Sequence, residues 1–203
     1  MKIKTQINKL GRNSKKQKGF INSPIYKGST IIFDNYKQYK NENNTYEGLY
    51  GLNRTPLSDN LEYALKKLYR CDSVVAVSSG LSAVSVSLLA LLSKDQHIIV
   101  TDALYTPTRK FIENQLSKFN IQVDYYDPSI SIKNLQKLIK KNTRLIYIES
   151  PGTATFEVQD IPEITKLAKK NNIATIADNT WASFLYCNPF NMGVDIVVEA
   201  ATK

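Results

Sequence analysis

Beyond residue 60 the chain alternates between two hydrophobic rhythms. Short β-branched runs at 74–77 (VVAV), 98–101 (IIVT), 121–126 (IQVDYY), 144–148 (RLIYI), 173–177 (IATIA) and 194–198 (VDIVV) predict strands. Between them, helical spacing predicts helices over 80–92, 106–118, 131–140 and 160–171. In the last of these, Ile161, Ile164, Leu167 and Ala168 fall on one face and lysines on the other. Several strands are apolar nearly throughout, the pattern of a strand buried on both faces. Strand–helix alternation of this kind predicts an α/β fold, a mostly parallel sheet covered by helices. Residues 1–60, rich in Asn, Lys, Tyr, Ser and Pro, show little periodicity and read as an extended arm and loops ahead of a sheet domain at 61–203. Lys203 follows an apolar strand directly, where a parallel sheet normally leads into a covering helix. The expectation is therefore an incomplete domain with more chain to follow.

Composition changes this picture little. The hydrophobic share of 42% and charged share of 22% are those of a globular protein with a core. The net charge of +9 suggests a nucleic-acid partner until it is located. Seven basic residues and no acid fall within residues 1–20, and the remainder carries 20 basic against 18 acidic side chains. Only the arm is basic, and no aromatic residue precedes Phe20 to stack on bases, so neither nucleic acid nor membrane is expected as a partner. The arm lacks the apolar stretch of a secretory leader, which points to a cytoplasmic protein. Cys71 and Cys187 are too far apart in sequence for a metal or redox pair and read as reduced thiols. The single histidine, His97, opens an apolar run and reads as a strand-edge residue. Its isolation speaks against Ser–His–Asp chemistry and against most histidine metal sites.

In a parallel sheet, ligands bind outside the carboxyl ends of the strands. Five segments occupy such positions: VSSGLSA (77–83), TDALYTP (101–107), ESPGTATFE (149–157), ADNTW (177–181) and EAATK (199–203). Each has a plain alternative. The first is an anion site at a helix start or simply a capped helix. Asp178 is a ligand, a cap or a solvated turn, and Lys203 alone is a surface lysine.

In order and spacing, the set from about Gly19 to Lys203 resembles the trans-sulfuration, or Cys/Met metabolism, family of pyridoxal-phosphate (PLP) enzymes, with the aspartate-aminotransferase (type I) fold. ESPGTATFEVQD, DNTWAS and AATK resemble its β-lyase branch. The resemblance implies that Lys203 forms the Schiff base with the cofactor and serves as the catalytic base. Asp178 would pair with the pyridine nitrogen, and Tyr105 would stack on the ring. The amides of Gly80 and Leu81 would cradle the phosphate with the hydroxyls of Ser79 and Thr202. Tyr50 would reach the phosphate of a neighbouring subunit's cofactor, which implies a homo-oligomer. Leu52 stands where the family places an arginine, and Arg54 is expected to replace it; Leu81 stands where the family has Met. The implied substrate is a small amino-acid thioether. The implied reaction is β-elimination of L-cystathionine to homocysteine, pyruvate and ammonia. Another trans-sulfuration activity remains an alternative, as does a truncated, non-catalytic remnant acting as an interaction module.

Overall fold

A computed structural model of the chain describes residues 3–15, 17–40 and 50–203. Lys2 and Lys16 of the basic arm lie outside the described residues. The chain divides into two compact units, Met1–Ala76 and Val77–Lys203.

Among its described residues the first unit holds three helices, α1 (Ile3–Ile7), α2 (Tyr36–Tyr39) and α3 (Pro56–Tyr69). The sequence encodes the start of α3 closely. The Thr55 hydroxyl accepts from the Ser58 amide, the Ser58 hydroxyl accepts from the Thr55 amide at 2.9 Å, and Pro56 sets the first helical φ. The boundary expected at residue 60 therefore falls inside a continuous helix. Arg54 ties into the same turns, pairing through Nε with Asp59 and through Nη2 with Glu62 at 3.1 Å. Elsewhere the described residues of this unit are largely irregular, and Ile32 is 91% exposed. Tyr50 forms an isolated antiparallel bridge with Thr30. Beside it, a Cβ on Gly51 would stand 2.5 Å from the Gly28 carbonyl oxygen, so only glycine fits. The VVAV run at 74–77 is not a strand. Propensity alone makes no ladder, and here the Ala76 amide donates to Glu62 Oε1 at 2.9 Å while Val75 is 76% exposed.

The second unit is a parallel five-stranded sheet, β1 (His97–Thr101), β2 (Gln122–Tyr126), β3 (Thr143–Glu149), β4 (Ala174–Asp178) and β5 (Ile196–Val198), in the order β2-β1-β3-β4-β5. Helices α4 (Gly80–Leu91) and α5 (Thr106–Gln115) cover one face, where Val84, Leu88 and Ile112 pack on Ile98, Val100, Leu145 and Ile176. Helices α6 (Ile132–Lys137) and α7 (Ile161–Lys170) cover the other, where Leu135, Ile164, Leu167 and Ala168 meet Ile99, Ile146 and Ile148. A short α8 (Ser183–Tyr186) follows β4. The apolar stripe read at 161–168 is the buried face of α7.

Three elements are shorter than periodicity suggests, each for a local reason. Helix α6 stops early because the Lys140 amide turns to the Thr143 hydroxyl at 2.7 Å. Helix α5 tightens into a 3-10 turn, Leu116–Phe119, closed by Asn120 at φ 54°. Strand β5 begins at Ile196 because the Asp195 carboxylate accepts from both the amide and the hydroxyl of Thr175, each at 2.8 Å, ahead of the ladder.

His97 is the first residue of an inner strand and fully buried. Its Nδ1 lies 2.7 Å from the Thr143 hydroxyl and its Nε2 3.2 Å from Asp124, whose carboxylate also takes Lys140 at 2.7 Å. Burial, and then the Lys140 charge, outweigh Asp124 and hold the imidazole below its ordinary pKa. The unfolded chain therefore binds this proton more readily. Stability from His97 is present above its unfolded pKa of about 6.5 and is lost as pH falls below it through the lowered folded value. Buried carboxylates with raised pKa act in the opposite sense, so the comparison is made against His97→Gln. Urea unfolding between pH 7.5 and 5.5 should show the parent losing stability relative to this variant as pH falls. A difference constant across the range contradicts the assignment.

Candidate active site

The strand order reverses between β1 and β3, the switch point beyond whose carboxyl ends a parallel sheet takes its ligands. Contacts run from segment to segment around it. At one end, Ser79 caps α4, its hydroxyl accepting from the Ser82 amide at 3.1 Å. The cap leaves the amides of Gly80 and Leu81 at the helix start, where no intrahelical acceptor exists. Gly80 lies flat against the segment following β5: a Cβ there would sit 2.6 Å from the Ala200 Cβ. The Ala200 amide in turn donates to the Thr180 hydroxyl at 3.0 Å, and the Asn179 amide donates to the Val198 carbonyl at 2.9 Å. The chain then closes on Asp178, whose Oδ1 accepts from the Thr180 amide at 3.0 Å.

Asp178 ends β4 in register with Glu149, which ends β3. Asp178 is half-buried, and burial raises its pKa against the lowering effect of the Thr180 bonds. The Tyr147 hydroxyl, itself fully buried, lies 3.4 Å from Asp178 Oδ2. No cation pairs with Asp178 among the described residues. Glu149 is 3% exposed, and burial pushes its carboxyl up to about 7. One of its oxygens accepts from the Tyr105 amide at 2.8 Å and the other from the Thr153 hydroxyl.

Six of the residues singled out from sequence thus lie on these segments: Ser79, Gly80 and Leu81 at α4, Tyr105 at α5, Asp178 at β4, and Thr202 beyond β5. Tyr105 keeps half its ring exposed. Lys203 follows Thr202 and is exposed, its amide donating to the Ala200 carbonyl at 3.4 Å. Tyr50 and Arg54 belong to the first unit, and the carboxylates of Asp59 and Glu62 compete with the phosphate role expected of Arg54. Sequence reasoning missed Glu149 and Gln159 as individual residues. Gln159 is 6% exposed and bonds the Glu149 carbonyl, the Thr101 hydroxyl and the Tyr126 hydroxyl, so it ties β1, β2 and β3 together. The polar pair Gln159–Asp160 between Val158 and Ile161 was the available signal. Phe156 and Trp181 pack edge to face at 5.1 Å, joining the loops after β3 and β4. Among the described residues, no three His, Cys, Asp or Glu are placed to hold a metal, and no helix is long and apolar enough to cross a membrane.

This donor set fits PLP. A buried, cation-less carboxylate suits a protonated pyridine nitrogen, and a helix start pressed flat by glycine suits a phosphate. The fold and these groups define a PLP-dependent enzyme scaffold. The model of the Cys/Met metabolism PLP-dependent enzyme family matches residues 4–203, and the chain belongs to that family. It is 46% identical over 201 residues to a Saccharomyces cerevisiae protein named "Putative cystathionine beta-lyase", covering 99% of this chain and 58% of that one. It is 36% identical to the L-alanine/L-glutamate racemase of Wolbachia pipientis wMel, covering all of this chain and 53% of the racemase. The crystal structure of metB from Corynebacterium glutamicum superposes with a TM-score of 0.91 at 26% identity, over the whole of this chain and 51% of its own. The chain thus spans little more than half the length of these relatives.

The Gly80–Ala200 approach generates a direct test. Alanine at position 80 normally gains up to about 1 kcal/mol over glycine in a helix. Here the added methyl must push α4 away from the segment that leads to Lys203. Gly80→Ala should lower stability by about 1–3 kcal/mol in urea unfolding, in the range of an overpacked contact, and weaken PLP binding at least tenfold. Ala200→Gly added to it should restore both. An unaltered PLP affinity in Gly80→Ala would remove this helix start from the site.

Proposed function

We propose that the protein is a PLP-dependent carbon–sulfur lyase that converts L-cystathionine to homocysteine, pyruvate and ammonia. The observation that carries this reading is the run of contacts Gly80–Ala200–Thr180–Asp178–Glu149–Tyr105. It gathers an anion-binding helix start, a buried acid and an exposed aromatic ring beyond the strand ends, on a chain 46% identical to the yeast relative.

When bound, PLP supplies an electron sink for negative charge developing at the substrate α-carbon. The residues of this chain do the rest. Lys203 would hold the cofactor through its Nζ, and the same amine would take the α-proton of the substrate. Asp178, starved of a cation, holds the proton on the pyridine nitrogen; a second donor at Tyr147 keeps its carboxylate aimed. Tyr105 covers one ring face and excludes water from it. The amides of Gly80 and Leu81, with the hydroxyls of Ser79 and Thr202, bind the phosphate. Tyr50 serves the phosphate of a neighbouring subunit, so the working form is a homo-oligomer acting on a small amino-acid thioether. Arg54 stays with Asp59 and Glu62, holding the first turns of α3.

The racemase relative supports a second reading, in which the same proton is removed and returned with no carbon–sulfur cleavage. Two measurements on the PLP-loaded protein separate the cases. Borohydride reduction followed by peptide mass spectrometry should place the pyridoxyl group on Lys203. Incubation with L-cystathionine should release pyruvate. Release of 2-oxobutyrate moves the reading to a γ-lyase. Inversion of alanine or glutamate without a keto acid moves it to a racemase, and an adduct on another lysine overturns the assignment.

A further inference from the structure

We propose that Glu149 is a positioning residue that fixes the backbone of Tyr105 through its side-chain carboxylate. The inference rests on the placing of Tyr105 in the cofactor site.

The loops after β1 and β3 are stitched together beyond the strand ends. The Thr153 amide donates to the Ala103 carbonyl at 3.0 Å, and the Gly152 amide donates to the Glu157 carbonyl at 3.0 Å. A Cβ on Gly152 would lie 2.7 Å from the Ala103 Cβ, so the two loops touch with no side chain between them. Glu149 stands where they meet. With one oxygen on the Tyr105 amide and the other on the Thr153 hydroxyl, its carboxylate spans both loops. The Tyr105 amide is one that its helix cannot satisfy, because Tyr105 is the N-cap of α5 and no side-chain cap serves that end. Glu149 supplies the missing acceptor from another strand. The far side of Glu149 is locked as well, since Gln159 Nε2 donates to its carbonyl at 2.9 Å.

A carboxylate buried to this degree is costly unless its oxygens are occupied by donors. Both oxygens are occupied, and the arrangement therefore holds one geometry of Tyr105 relative to β3 and β4. Glutamine can reproduce it, with its carbonyl on the Tyr105 amide and its amide group on the Thr153 hydroxyl. Alanine cannot.

The test uses four variants of the protein: Glu149→Ala, Glu149→Gln, Tyr105→Ala and the double variant Glu149→Ala/Tyr105→Ala. Fluorescence titration gives PLP affinity, and hydrogen exchange in PLP-free protein reads the Tyr105 amide against the Asn179 amide, which Glu149 does not touch. Glu149→Ala should weaken PLP at least tenfold and speed exchange at Tyr105 at least tenfold with Asn179 unchanged. Glu149→Gln should stay within threefold of the parent in both. Because Glu149 acts through Tyr105, the double variant should bind PLP no more weakly than Tyr105→Ala. Multiplied losses in the double variant, or equal acceleration at both amides, overturn the proposal. So does parent-like PLP binding in Glu149→Ala while Tyr105→Ala binds weakly. Parent-like binding in Tyr105→Ala fails at the earlier step, the placing of Tyr105, and takes the proposal with it.

Discussion

Two acids end neighbouring inner strands of a parallel sheet, side by side and largely shielded from water. An ionised carboxylate in such a place is expensive unless something pairs with it, and the nearby Asp178 charge raises the Glu149 carboxyl further. Much of the architecture beyond the strand ends answers this one constraint. Glu149 is satisfied from within the protein, by the Tyr105 amide and the Thr153 hydroxyl. Asp178 is met by the amide and side chain of Thr180 and by a distant Tyr147 hydroxyl. The first arrangement ties two loops together, and the second leaves an acid that no cation among the described residues pairs with, the feature on which the proposed pairing with a cationic ring nitrogen rests.

The sheet itself explains why both acids can sit there. Ile146 and Ile148 face one layer of helices while Leu145 and Tyr147 face the other, so β3 is anchored on both sides up to its last residue. The polar groups then begin at once, at Glu149. The 178–180 turn lies against the start of the 199–203 segment through Thr180 and Ala200, and α4 lies against that segment through Gly80. A change at any of these contacts should be felt at the others, because they are backbone approaches with little room to relax.

Much of this was legible in the sequence. Five of the six β-branched runs are strands, and the stripe on α7 is buried as its spacing requires, because burial on two faces leaves little freedom in pattern. The run at 74–77 misled because its three valines record only a preference for extended backbone. Whether a partner strand lies alongside is not written locally, and here Glu62 takes the Ala76 amide instead. The early end of α6 was hidden for a similar reason, since it depends on a hydroxyl at Thr143 beyond the helical pattern. Among the candidate site residues, those with distinctive chemistry at strand ends, Asp178 and Lys203 among them, stood out. Glu149 did not, because a glutamate in a polar loop motif looks solvated until the fold buries it. Arg54 looked like a replacement for the arginine missing at position 52. Spacing could not reveal that Asp59 and Glu62, one and two turns into α3, would engage it.

The central claim is that Asp178 is the buried acid that the cofactor's ring nitrogen completes. The most direct measurement is α-proton exchange from a bound amino acid in deuterated buffer, for PLP-loaded parent and Asp178→Asn protein. Losing a preorganised charge of this kind costs about 3 kcal/mol, so exchange should slow at least ~100-fold while PLP remains bound. Exchange at the parent rate in the loaded variant would contradict the account.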